Sequence, residues 1–174
     1  EEYLYLRHKC ILRTGEKLIS LDLDKLKFMD SLNMLTGSLD NLIEDNREGK
    51  SSQADLEARF PILRLRHPFG ADDMDLLLRK LPVPYSSLRS SSSILPGRPI
   101  PPRSDFYSDL KDEDVSDKAW EALDEVREAY NIRDFRGLHV LYLATDVLAL
   151  ADCLQNFRRC FREIYGLDML HFLT

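Results

Sequence analysis

The sequence predicts an α/β fold in which short edge strands precede a mainly helical body. Residues 3–13 and 17–23 are rich in apolar and β-prone side chains and flank a Thr-Gly-Glu turn, a pattern typical of a hairpin. The last third of the chain repeats apolar residues at helical spacing, which indicates long amphipathic helices.

The remaining N-terminal elements are short. Residues 26–29 predict a third strand, and Ser38 is a suitable N-cap for a helix that follows it. Residues 53–60 and 72–80 predict two further helices, the second of which ends before Pro82.

The C-terminal third predicts two main helical segments. Ser116 is positioned to cap a helix over 117–130. Residues 134–165 predict one long helix, or two in tandem, and Gly166 suits the position just beyond a helix end.

Composition divides the chain into three parts. We assign 1–81 to a partial domain of strands and short helices. Residues 82–104 hold most of the eight prolines and a run of serines, which is typical of an extended loop or an insertion. Residues 105–174 form the helical C-terminal part.

Charge and cysteine content limit the functional classes. The net charge of −6 argues against a general nucleic-acid binder. Residues 59–103 nevertheless carry eight basic and three acidic side chains, a net +5, so this stretch is either a local phosphate contact or a solvated linker. Three cysteines without metal-ligand spacing argue against a disulfide framework. We expect an intracellular, not secreted, protein.

Uninterrupted apolar runs in the chain are short. None approaches the ~18 residues that a membrane span requires. The sequence therefore predicts no membrane partner.

Tyr142 and Asp146 are the residues best placed for chemistry. Side chains four apart on a helix share a face, so the phenol and the carboxylate can reach one site. Two-metal phosphodiester cleavage needs carboxylates to hold the ions and benefits from a hydroxyl that orients water. The spacing alone also fits a tyrosine in an apolar core.

The residues around this pair carry a resemblance. Residues 141–152 read Leu-Tyr-Leu-Ala-Thr-Asp-Val-Leu-Ala-Leu-Ala-Asp. This segment resembles the third exonuclease motif of protein-primed family B DNA polymerases, including those of Polinton or Maverick transposons. Residues 106–117 and 165–174 resemble the segments that flank this motif, and 27–42 resemble the strand and helix after the second motif. The match over 50–105 is loose.

The resemblance implies a partial ribonuclease-H-like exonuclease fold in a DNA polymerase that proofreads from 3′ to 5′. It implies that Asp146 holds Mg²⁺ or Mn²⁺ and that Tyr142 orients the attacking water. The implied partners are the single-stranded 3′ end of DNA and the rest of the polymerase chain.

Other motifs of this family are missing. We do not identify the family's first exonuclease motif, Asp-x-Glu, in the chain; its nearest look-alike, Asp22-Leu23-Asp24, lacks the Glu. No Asn with a following aromatic-Asp pair marks the second. We therefore expect the chain to be the middle of a larger enzyme and to be inactive in isolation.

Two other groups of side chains have alternative interpretations. Arg158, Arg159 and Arg162 suit either phosphate contact with DNA or the C-terminal end of a helix dipole. His67, followed by acidic residues at 72, 73 and 75, suggests a metal site, but we favour a solvated helix start.

Two rival functions also stay open. A truncated, transposon-derived chain can persist as a catalytically dead helical module that binds DNA or protein. An unrelated helical adaptor with a chance motif match is the weaker alternative.

Overall fold

The chain folds into a mixed α/β structure with a small antiparallel sheet and a series of helices. A computed structural model describes residues 8–14, 17–49, 52–88, 94–108 and 112–171. The prediction of an α/β fold with short strands followed by a mainly helical body is confirmed.

The sheet has three strands in the order β1-β2-β3, each antiparallel to its neighbour. The strands are β1 (His8–Thr14), β2 (Lys17–Leu23) and β3 (Leu26–Met29). Asp24 adopts a positive φ of 53° in the tight turn between β2 and β3, a conformation that Asp tolerates better than most residues. All three predicted strands are therefore confirmed where described, and residues 3–7 of the first lie outside the described part.

The α-helices follow in chain order and vary greatly in length. They are α1 (Leu39–Arg47), α2 (Gln53–Arg59), α3 (Pro61–Arg66), α4 (Met74–Leu77), α5 (Asp117–Ala129) and α6 (Phe135–Tyr165). Short 3-10 turns cover Ser31–Asn33, Tyr85–Ser87, Arg103–Phe106 and Met169–His171.

The predicted helix boundaries rest on local hydrogen bonds. The Ser38 hydroxyl accepts from the Asn41 backbone N–H at 3.3 Å, and that of Ser116 accepts from Ala119 at 3.2 Å. At the far end of α6, Gly166 has a φ of +67° and its N–H donates to the Arg162 carbonyl oxygen at 2.8 Å. Both N-caps and the glycine after α6 are confirmed, and 135–165 is one continuous helix.

Two helices in the middle of the chain differ from what the sequence predicted. Helix α3 was not predicted; Pro61 is its first residue, where a missing N–H costs nothing. Helix α4 is shorter than the predicted 72–80. It begins at Met74 because the Asp73 side chain caps it, accepting from the Leu76 N–H at 2.9 Å, and it ends at Leu77.

The chain divides into two compact units, one of Glu1–Leu42 with Leu154–Thr174 and the other of Ile43–Cys153. In the larger unit the core is mainly aliphatic and includes the buried phenylalanines Phe60, Phe106 and Phe135. Its fully buried members include Leu56, Phe60, Leu63, Met74, Leu77, Leu123, Val126 and Leu141.

Helix α6 is also long and apolar enough, by length and composition alone, to cross a membrane. Its 18-residue apolar window has a mean hydropathy of 1.5, with 33% of the window buried. A count of uninterrupted apolar residues misses such a helix, because polar residues interrupt its apolar runs. The core helix of a soluble protein passes the same test, and Leu141, Ala149 and Cys153 of α6 are buried within the larger unit.

Candidate functional site

Tyr142 and Asp146 lie one turn apart on α6, and their side chains are hydrogen-bonded. Both are half-buried. The i to i+4 spacing places them on one face, so the predicted juxtaposition of phenol and carboxylate is present. Asp146 accepts and the Tyr142 hydroxyl donates, because a phenol is the only proton donor of the two.

A third side chain joins this pair. Tyr85, in the 3-10 turn Tyr85–Ser87, forms a side-chain hydrogen bond with Tyr142, and 70% of Tyr85 is exposed. Sequence reasoning missed Tyr85 because a contact between residues so far apart in the chain leaves no local periodicity. The result is a chain of hydrogen bonds from solvent-exposed Tyr85 through Tyr142 to Asp146.

The surroundings of Tyr142 keep its phenol protonated. Burial raises the pKa of Tyr142, and the charge of Asp146 together with the hydrogen bonds raises it further. At neutral pH the hydroxyl therefore remains a donor. An apolar cleft next to it is lined by Leu81, Pro84 and Leu138, among others.

Asp146 suits a hard divalent cation, since Mg²⁺ and Mn²⁺ prefer carboxylate oxygens. Across the described residues, however, no three His, Cys, Asp or Glu side chains come together as a metal site. Within the described residues, Asp146 alone does not make up a two-metal centre.

One Asp-x-Glu does occur in the sequence, at Asp55 to Glu57, but it lies on helix α2 and not on a strand. The Asp55 carboxylate accepts from the Ser52 hydroxyl at 2.6 Å, and Glu57 pairs with Arg64 at 3.0 Å. Asp55 therefore bonds within the first turn of α2, and Glu57 links α2 to α3.

Asp152, the last residue of the motif-like segment, has a different role from Asp146. It is 1% exposed, and its two oxygens accept from the backbone N–H groups of Ile62 at 3.0 Å and Leu63 at 2.8 Å. Burial raises the pKa of Asp152, and the two N–H bonds oppose that rise. The side chain caps the first turn of α3 and joins it to α6, a role that the sequence did not reveal.

His67 is a buried core residue, and both of its ring nitrogens have hydrogen-bond partners. Its Nδ1 donates to the Gly70 carbonyl oxygen at 2.8 Å, and its Nε2 lies 3.2 Å from Thr145 Oγ1. Burial lowers the pKa of His67, partly offset by hydrogen bonds to the backbone of Gly70 and Leu141. The imidazole is therefore favoured in its neutral form.

The acidic residues after His67 have structural partners. Asp73 caps α4, and Asp75 pairs with Arg47 and with Arg79, the latter at 3.1 Å. The interpretation of this stretch as a helix start therefore agrees with the contacts.

The three arginines near the end of α6 line an open groove with Gln155 and Glu163. Arg158 forms a bidentate pair with Asp168, and Arg162 bonds the same carboxylate at 2.8 Å. Arg159 donates to Asn156 at 2.6 Å. The two predicted roles for these arginines did not include ion pairs with Asp168, which binds two of the three guanidinium groups.

No family model, no curated protein and no solved structure matches this chain.

Proposed function

We propose that this chain is the C-terminal part of the 3′–5′ exonuclease domain of a protein-primed family B DNA polymerase, with a partial ribonuclease-H-like fold. The observation that carries the proposal is the hydrogen-bonded Tyr142–Asp146 pair. It lies on a long helix, within the segment that resembles the family's third exonuclease motif.

The contrast between the two aspartates of α6 supports this assignment. Asp152 is fully buried and satisfied by two backbone N–H groups, as a structural carboxylate should be. Asp146 is only half-buried and is bonded to a tyrosine that retains its proton. The half-buried position leaves part of the Asp146 side chain exposed to solvent.

The surface next to the pair also fits a piece of a larger domain. Val140, Leu143 and Val147 follow one another at helical spacing and are 36%, 51% and 58% exposed. Exposed apolar stripes of this kind mark surfaces that pack against another element. In the proposed enzyme, the part of the domain that carries the other carboxylates would cover this stripe.

The proposed roles follow from the chemistry of each side chain. The bound metal ions would activate water and stabilise the phosphodiester transition state. Asp146 would be one of their ligands. The Tyr142 hydroxyl would orient the attacking water, and its high pKa keeps it a hydrogen-bond donor throughout the neutral range.

The conservative variant Tyr142→Phe in the intact polymerase tests this role. Removing one positioned hydroxyl should slow excision of a single-stranded 3′ end by about 100-fold and leave primer extension unchanged. Tyr165→Phe, which removes an exposed phenol hydroxyl from the same helix, is the matched control. If the Tyr142→Phe enzyme excised at the wild-type rate, the Tyr142 hydroxyl would have no role in the mechanism.

A DNA-binding module without catalysis is the second candidate, and the groove lined by Arg158, Arg159 and Arg162 favours it. A nuclease assay on the isolated chain tests a third possibility, that the chain is active alone. We expect no digestion of single-stranded DNA with Mg²⁺ or Mn²⁺, because one carboxylate does not assemble a two-metal site. Digestion that depends on Asp146 would show that the remaining carboxylates lie within this chain.

A further inference from the structure

The segment from Arg98 to Pro102 has a backbone that its sequence largely dictates. It reads Arg-Pro-Ile-Pro-Pro. Proline fixes φ near −65°, and a residue before proline is driven into the extended or polyproline II region. Every residue of the segment is either a proline or is followed by one. Pro102 has φ −64° and ψ 160°, close to polyproline II values.

The exposure of the side chains follows the threefold repeat of a polyproline II helix. Pro99 and Pro102 are exposed, whereas Ile100 and Pro101 between them are only half-exposed. Pro99 and Pro102 are three residues apart, so they project from one face. The segment thus presents a Pro-x-x-Pro ridge to solvent and turns its other face toward the chain.

Both ends of the ridge are fixed to the same compact unit. The Phe135 N–H donates to the Arg98 carbonyl oxygen at 2.9 Å, and the Gly97 N–H donates to Asp134 at 2.9 Å. At the other end the Asp105 N–H donates to the Pro102 carbonyl oxygen at 2.9 Å in the 3-10 turn Arg103–Phe106, and Phe106 of that turn is buried with its ring 5.2 Å from that of Trp120. A ligand held in its bound conformation loses less entropy on binding.

The ridge also has a basic side chain at one end. Arg98 is exposed, and among the described residues its guanidinium group has no hydrogen-bond or ion-pair partner. Arg103, just beyond the other end, donates to the Val115 carbonyl oxygen and to Asp117. The charge available to a partner is therefore that of Arg98.

From this arrangement we propose that residues 98–102 are a docking ridge for a protein module of the SH3 type, whose aromatic groove accepts Pro99 and Pro102 while an acidic pocket accepts Arg98. Grooves lined by aromatic side chains bind Pro-x-x-Pro segments in this way because the ligand is already extended before it binds. The interaction is independent of the Tyr142–Asp146 pair.

Binding of the 174-residue chain to a panel of recombinant SH3 domains, followed by calorimetry on the domains that bind, tests the proposal. The double variant Pro99→Ala/Pro102→Ala and the single variant Arg98→Glu should each weaken binding about tenfold or more. Pro96→Ala is the matched control, since this exposed proline lies beyond the turn at Gly97, whose φ is +78°, and it should leave the affinity unchanged.

Circular dichroism should show that each variant keeps its fold. If the alanine variant unfolds, Arg98→Glu still tests the proposal, because it alters only an exposed side chain. The proposal is overturned if no SH3 domain of the panel binds, or if binding is indifferent to these substitutions. It is also overturned if only WW domains bind and Arg98→Glu has no effect.

Discussion

The carboxylate of Asp152 accepts a hydrogen bond from the backbone N–H of Leu63 across 2.8 Å, and both residues are fully buried. With a second bond from Ile62, this contact satisfies two N–H groups at the start of α3. The Asp152 side chain of α6 thus caps the N-terminal end of α3. This role usually belongs to a residue at the start of the helix itself.

Substituting Asp152 should therefore destabilise the chain strongly. Asp152→Ala leaves two buried N–H groups without a partner, at about 1–3 kcal/mol each. Asp152→Asn should cost less, because the amide oxygen can still accept one bond. Urea denaturation followed by circular dichroism measures the free energy of unfolding of both variants. A free energy of unfolding unchanged in the alanine variant would contradict the capping role.

Asp146→Asn should have the opposite outcome. If the carboxylate is kept for function and not for folding, its removal should leave the isolated chain as stable as before, or slightly more stable. A carboxylate whose charge is part of a buried ion pair would instead cost about 3–5 kcal/mol. Thermal melts of the wild type, Asp146→Asn and Asp152→Asn, compared side by side, separate these cases.

The two aspartates also show how far sequence reasoning reaches in this chain. The helical spacing of Tyr142 and Asp146 and the capping residues Ser38 and Ser116 were predictable, because their partners lie within four positions. The contacts of Asp152 with α3 and of Tyr85 with Tyr142 were not. They join segments far apart in the chain, and a single sequence records no signal of such pairing.

The same limit explains the wrong helix boundaries. Helix α3 is too short to show a helical period, and its capping group comes from α6. The pairing of Arg158 and Arg162 with Asp168 was missed for another reason. It depends on the chain turning back after Gly166, and spacing along a helix carries no information about the path of the chain after the helix ends.

The buried imidazole of His67 predicts a loss of stability in mild acid. Burial lowers the pKa of His67 below 6.5, its value in the unfolded chain. As pH falls below 6.5, the unfolded state takes up the proton first, so the free energy of unfolding should fall by up to about 1.4 kcal/mol per pH unit. The fall ends once the pH is below the folded-state pKa.

Urea titrations across this pH range measure the effect. His67→Gln, which keeps an N–H donor for the Gly70 carbonyl but does not titrate, should flatten the slope. His171→Gln, at an exposed histidine, is the matched control. An equal slope in the wild type and His67→Gln would assign the acid sensitivity to other groups.

Asp168 should restrain DNA binding by the groove at the end of α6. It holds both Arg158 and Arg162, and these bonds depress the pKa of Asp168, with Arg158 as the largest cause. Asp168→Asn should release two cations, which raises the affinity for a single-stranded oligonucleotide and steepens its salt dependence.

Fluorescence anisotropy at several salt concentrations tests this. Asp124→Asn, which removes an equal charge beside Arg127 on α5, controls for net charge. If the two variants gain affinity equally, the groove has no special role. Arg159→Glu should weaken binding if the groove is the contact surface.

The most direct test of the central proposal is the ratio of excision to extension in the intact polymerase carrying Asp146→Asn. On a primer with a mismatched 3′ nucleotide, we predict that excision falls below detection while extension of a matched primer keeps its wild-type rate. Wild-type excision by this variant, or an equal loss of both activities, would contradict the assignment of Asp146 to an exonuclease site.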